Sequence, residues 1–182
     1  MMPTRVPNQL EFFFLREDKR DQRRFILTPP LSQHRFCGKL LEKLNYVERF
    51  FPELRGTTIK VGLTRAASGM AIPGGTEVWF NPSRVCYHTI AHELVHLLQG
   101  SNGIPRGEKS CDVFSLARDW TLNDTLPNYV KIPAAFHDPL GRIPEAKAKL
   151  IFAVASGAVA IRAAGLRNYI AFFEKELARL GG

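Results

Sequence analysis

Apolar residues recur at helical spacing from Phe36 through Leu40, Leu41, Leu44 and Val47 to Phe51, which predicts a helix from about Leu31 to Phe51, ended near Pro52. The period then changes. In "TTIKVGLTR", Ile59, Val61 and Leu63 alternate with polar neighbours, as on a half-buried strand. A glycine-rich turn, "ASGMAIPGG", leads to a second short strand, "TEVWF". Asn81 can cap the next helix, with Pro82 at its first position, and that helix runs to Gln99 before Gly100 closes it. "GEKSCDVFSLARDW" reads as a further helix, and residues 121–143 as a loop-rich stretch punctuated by Pro127, Pro133, Pro139 and Gly141. Two last helices cover about Pro144 to Ala164 and Leu166 to Leu180. Residues 1–28 read as an irregular arm or an edge strand, since "LEFFFL" is apolar without clean alternation. The expected class is α+β with helices dominating.

The helix ending at Gln99 carries the chemistry. Cys86, Ile90, Leu94, Leu97 and Leu98 share one side of it, while Thr89, His92, Glu93 and His96 share the other. His92 and His96, at i and i+4, can present both imidazoles to one ion, and Glu93 stands about 100° round the axis beside them. A catalytic zinc needs a third protein ligand if its fourth position is to stay open. After His96 comes "LLQGSNGIPRGEK", which holds no histidine; His88 is one turn before His92, and His137 is far downstream in a loop. Carboxylates are the better candidates. Glu108 and Asp112 are four apart on the next predicted helix and so share a face, and either is available as the third ligand.

HELVH followed by "GEKSCDVF" resembles the gluzincin, or thermolysin-like, metallopeptidases, over about residues 76–119. The interval from His96 to Glu108 is that of compact members of the clan. The resemblance implies a zincin-like fold with a small mixed sheet, an active-site helix and a largely helical C-terminal part. Its ExxxD pattern implies that His92, His96 and Glu108 bind Zn2+, and that Asp112 orients His92 through the second imidazole nitrogen. It also implies that Glu93 is the general base for peptide-bond hydrolysis by a zinc-activated water. A zincin strand just before the active helix forms a sheet edge that pairs with extended substrate, a role that falls to "TEVWFNP". Thermolysin-like enzymes stabilise the oxyanion with a later Tyr and His, for which Tyr129 and His137 are the candidates. The chain then reads as one zincin-like domain, 1–182: an N-terminal arm 1–28, the sheet and active-site helices 29–120, and a loop with C-terminal helices 121–182.

Composition adjusts this picture at two points. The 182 residues suffice for one real core. Three cysteines without paired spacing suggest neither a disulfide framework nor a zinc finger, and point to a reducing, cytoplasmic setting. Residues Phe12–Leu15 are too short an apolar run for a secretory signal, and "LIFAVASGAVAI" is too short to span a bilayer and reads as a buried helix, so no membrane partner is expected. The net charge of +8 leaves room for nucleic acid beside a peptide or protein substrate. Two other readings therefore stand beside the peptidase: a nucleic-acid-associated metalloprotease, and a non-catalytic zincin-fold binding module that uses its basic surface.

Overall fold

The computed structural model describes residues 25–100 and 103–182. "LEFFFL" and the basic run Lys19 to Arg24 lie outside them. Over the described residues the chain is α+β, with a four-stranded mixed sheet and six α-helices. Strand β1 (Phe25–Leu27) leads into a single turn, α1 (Pro29–Ser32), then α2 (Cys37–Glu48) and β2 (Ile59–Leu63). Next come β3 (Gly69–Ala71), β4 (Glu77–Phe80), α3 (Tyr87–Leu98) and α4 (Glu108–Leu116). Two long helices, α5 (Glu145–Ala163) and α6 (Tyr169–Gly181), end the chain.

The sheet order is β1-β2-β4-β3, with β1, β2 and β4 parallel and β3 antiparallel to β4. This corrects the assignment of the edge. "TEVWF" is an inner strand with partners on both sides; among the described residues the sheet edges are β1 and β3, and the one that packs on the histidine helix is β3, where the glycine-rich stretch predicts a turn. Gly69 and Ala71 pair with Phe80 and Val78, so they face the same side as those two fully buried residues, while Met70 points outward and is 48% exposed. Ile59, Val61, Val78 and Phe80 pack against α2 and α3 in one apolar cluster. A second cluster joins α4, α5 and α6, and Phe114 of α4 packs against both. The seam between α3 and α4 thus lies where the two clusters meet.

Two helix starts differ from expectation. The stretch 31–51 breaks after Ser32, whose hydroxyl donates to Pro29 O, and resumes at Cys37 after a turn closed by Cys37 N–H to His34 O. Asn81 and Pro82 do not open α3. The Asn81 side chain accepts from Ser83 N and its carbonyl from Arg84 N and Val85 N, so the asparagine builds a turn. The N-cap of α3 is Cys86, whose sulfur accepts from Thr89 N, while Asp124 accepts from Tyr87 N and His88 N, both at 3.0 Å. A carboxylate on those free amides suits the positive end of the helix, and it anchors the histidine-bearing helix from 36 residues away. The "LIFAVASGAVAI" segment lies in α5 and buries one face, through Ile151, Val154, Ala155 and Ala158, while Leu150 is exposed. Among the described residues no helix is long and apolar enough to cross a membrane.

Candidate metal centre

Every residue from Ile90 to Leu98 is buried, so the histidine side of α3 is covered as well as its apolar side. The cover is α4 on one flank and β3 above. Gly107, at φ 110°, has a conformation that L side chains rarely adopt, and it turns the chain so that Glu108 begins α4 facing α3. Glu108 Oε2 lies 3.1 Å from His92 Nε2 and 3.2 Å from His96 Nε2.

The far nitrogen of each imidazole is already engaged. His92 Nδ1 is 2.8 Å from Asp112 Oδ1, and Asp112 Oδ2 accepts from Tyr129 N at 2.7 Å and Val130 N at 3.1 Å. Burial alone would raise the Asp112 carboxyl, yet the imidazoles of His88 and His92 beside it hold it well below the usual carboxylate range. It is therefore an acceptor, and His92 Nδ1–H must donate. His96 Nδ1 is 2.8 Å from Gln99 Oε1. The Gln99 amide nitrogen donates to Pro105 O and Gly107 O, which fixes the amide so that its oxygen faces His96 and His96 Nδ1–H donates too.

Neutral rings so oriented leave both Nε2 lone pairs aimed at a carboxylate oxygen. Three acceptors then converge with no donor between them, an arrangement that needs a cation: a metal ion, or a proton taken up by an imidazole. His92 has a pKa raised in that sense; burial opposes its charge, and Asp112 and Glu93 outweigh burial. The residues present fit a metal ion. Two buried groups also bring three donor atoms within 4.8 Å of one another: His92, His96 and Cys111, and His88, His92 and Asp112. Both draw on atoms of the outer layer. Cys111 Sγ lies 3.3 Å from His96 Nδ1, the nitrogen already given to Gln99, and burial pushes its thiol up, with the charges of Glu108 and Asp112 adding to the effect.

Glu93 is buried on the cleft side of the same turn. Burial pushes its carboxyl up to about 7; His92 pulls it down, and the charges of Glu108 and Asp112 add to the rise. The cleft, of about 830 Å3, is lined by β3 and the segment before it, by His92, Glu93, His96 and Glu108, and by Tyr129 from the loop. A Cβ on Gly69 would stand 2.7 Å from Glu93 Cγ and 2.9 Å from Thr89 Cγ2, so β3 passes over the carboxylate closer than any other residue type allows. The chain matches no family model, no curated protein and no solved structure.

His92, Glu93, His96, Glu108 and Asp112 thus come together. Tyr129 does as well, with its ring stacked on His92 at 5.8 Å, although its backbone amide is what holds Asp112. His137 does not line the cleft: it follows a 3-10 turn at Ala134–Phe136, and its Nδ1 donates to Asp138 O. Gln99 was legible only as the end of a helix, and its i+3 spacing from His96 was the available signal. Among the described residues neither ring nitrogen of the buried His88 has a hydrogen-bond partner, and Nε2 lies 3.5 Å from Asp112 Oδ1.

Proposed function

We propose that this chain is a zinc-dependent, gluzincin-like peptidase of zincin-like fold, hydrolysing a peptide bond of an extended substrate. The observation that carries the reading is Glu108 Oε2 standing 3.1 Å from His92 Nε2 and 3.2 Å from His96 Nε2, beside a separate buried carboxylate in an open cleft. Tetrahedral bonds of about 2.0–2.1 Å place neighbouring ligand atoms about 3.3 Å apart, so the spacing suits zinc, as do two imidazoles with one carboxylate. The Glu108 side chain is 45% exposed, which supports a centre open on the cleft side and so a catalytic rather than a closed structural site.

A bound zinc ion supplies Lewis acidity to a substrate carbonyl and acidifies water at neutral pH. Glu93 is the proton acceptor on the cleft floor, and it returns the proton to the leaving amine. Asp112 and Gln99 keep His92 and His96 in the tautomer that offers Nε2. The free edge of β3 offers main-chain groups to an extended peptide, with Gly69 bringing that edge over Glu93. Tyr129, 46% exposed at the rim, is the candidate donor to the developing oxyanion.

The test is hydrolysis of an unfolded protein substrate by zinc-loaded protein, followed by mass spectrometry of the products. Cleavage abolished by a chelator and restored by zinc is the expected result. No cleavage of any sequence by protein shown to hold zinc would overturn the reading. Gly69→Ala is expected to keep the zinc and to lower turnover by about 10²-fold, because the new methyl displaces Glu93. Unchanged turnover in that variant would contradict the placement of β3 over the base.

A further inference from the structure

The hydrogen bonds at the two ends of β3 fix which of its main-chain groups are open. Asn81 N–H donates to Ser68 O at 3.0 Å, and Ile72 N–H donates to Glu77 O at 3.3 Å, so Ser68 and Ile72 stand in hydrogen-bonded pairs with the β4 chain. Bonded and non-bonded pairs alternate along an antiparallel ladder. Met70, opposite Trp79, is therefore bonded to β4, and the N–H and C=O groups of Gly69 and Ala71 point to the open side. No other described residue takes up those groups. Main-chain groups on two residues about 6.6 Å apart match one extended chain.

The side chains divide in the same rhythm. Gly69 and Ala71 face α3, with Gly69 directly over Glu93. Met70 and Ile72 face the other way and are 48% and 49% exposed. Trp79, the cross-strand neighbour of Met70, lies over Gly62 of β2, where only a glycine leaves room for its ring, and so it does not cover the open side of Met70. Sheets commonly guard an edge with charge, Lys above all. Residues 66–75, "AASGMAIPGG", carry none. Single exposed apolar residues such as Leu140, Leu150, Leu166 and Leu180 are ordinary on a protein surface. An uncharged edge, with two of them beside unpaired main-chain groups, is suited to adding a strand. The opposite edge, β1, also exposes an apolar residue, Ile26, but only β3 is part of the cleft wall, where residues 66–71 line it beside Glu93 and His92.

We infer that β3 selects its substrate by side chain as well as by main chain: an extended segment pairs with Gly69 and Ala71 and lays two large apolar side chains, at alternate positions, against Met70 and Ile72. The inference rests on the peptidase reading and deepens it to a substrate class, unfolded or strand-forming segments with apolar residues at positions i and i+2. Residues directly opposite one another in a sheet project to the same face. The substrate residues facing Met70 and Ile72 are thus the ones selected, and those facing Gly69 and Ala71 project toward the metal centre. The register fixes the distance from the apolar pair to the bond cleaved.

Binding and cleavage are read separately. Zinc-loaded Glu93→Gln protein is titrated with a labelled unstructured peptide bearing Leu at two alternate positions, and with its Ser counterpart. The Leu peptide is expected to bind about ten-fold more tightly, the effect of removing roughly 60 Å2 of apolar surface from water. N-methylation of the backbone nitrogens that pair with the edge is expected to weaken it about as much. In a Met70→Ser/Ile72→Ser variant of unchanged melting temperature the preference for Leu should vanish. Should that variant misfold, the two peptides and the N-methyl series on the Glu93→Gln protein give the same test. With active protein, the cut should fall at one constant distance from the Leu pair. Equal binding of the Leu and Ser peptides, or a preference kept in the double variant, overturns selection by Met70 and Ile72; cleavage of both peptides then leaves the peptidase reading intact. Indifference to N-methylation at every position overturns strand addition. A protein that sediments as a dimer and becomes monomeric in the double variant assigns the edge to a second copy of this chain, which also overturns the inference. Preferential binding of the Leu peptide with no cleavage of either peptide by active, zinc-loaded protein keeps the edge site and overturns the peptidase reading.

Discussion

Glu93→Gln is expected to retain zinc at full stoichiometry and to lower peptide hydrolysis by about 10²–10⁴-fold. The substitution conserves shape and removes the proton acceptor. His92, His96 and Glu108 are untouched, and no hydrogen bond of the inner or outer layer runs through Glu93. Metal content and turnover therefore separate in this variant. Burial raises the Glu93 carboxyl to about 7, near the pH at which a base is best matched to its task, and a cation nearby favours its ionised form. Activity close to that of the unsubstituted protein would remove Glu93 as the base; loss of zinc along with activity would make it part of the metal-binding set.

Asp112→Ala acts at the opposite level, through structure and metal together. The carboxylate holds three donors at once: His92 Nδ1–H, Tyr129 N–H and Val130 N–H. Removing it leaves those donors in a region where Asp112 itself is 1% exposed. Breaking a buried charged network of this kind costs about 3–5 kcal/mol. For a chain of this length that is a fall in Tm of roughly 10 °C, read by calorimetry on the metal-free protein. Zinc affinity should drop by about 10–100-fold, since His92 loses the partner that fixes its tautomer. The folded-state pKa of Asp112 is depressed, so its contribution is complete above the unfolded value of about 3.9 and is lost as pH falls through the acid range. A variant with unchanged Tm and unchanged zinc affinity would show that Asp112 neither holds the loop nor orients His92.

The sequence was most readable where a period and a fixed spacing coincide. His92, Glu93 and His96 follow from one helical turn, and the pairing of Glu108 with Asp112 follows from the next helix. Which of the two carboxylates faces Nε2 could not be read from spacing alone, because it depends on the rotation of α4 against α3, set by Gly107 and the packing of both helices. The resemblance puts the sheet edge on the strand just before the histidine helix, which is β4 in this chain. The edge strand over the site, "GMA", is three residues long and contains the glycine that its closeness to Glu93 demands, so it has the composition of a turn. The Asn81–Pro82 start failed for a related reason: the same residues satisfy a turn, and a carboxylate 36 residues downstream takes the amides that a local cap would have taken. The Tyr129 amide acts through the backbone, which no side-chain pattern encodes, whereas Gln99 reaches His96 with its side-chain oxygen from the i+3 position. His137 matched by residue type and lies in a loop that packs elsewhere.

The central claim is that His92, His96 and Glu108 hold one zinc ion, and elemental analysis of the purified protein beside Glu108→Ala and Glu108→Gln tests it most directly. One equivalent of zinc in the unsubstituted protein, lost or sharply weakened in both variants while their folding is retained, is the predicted result. Absence of zinc from the unsubstituted protein after exposure to the metal, or one tightly held equivalent in all three proteins, would contradict it.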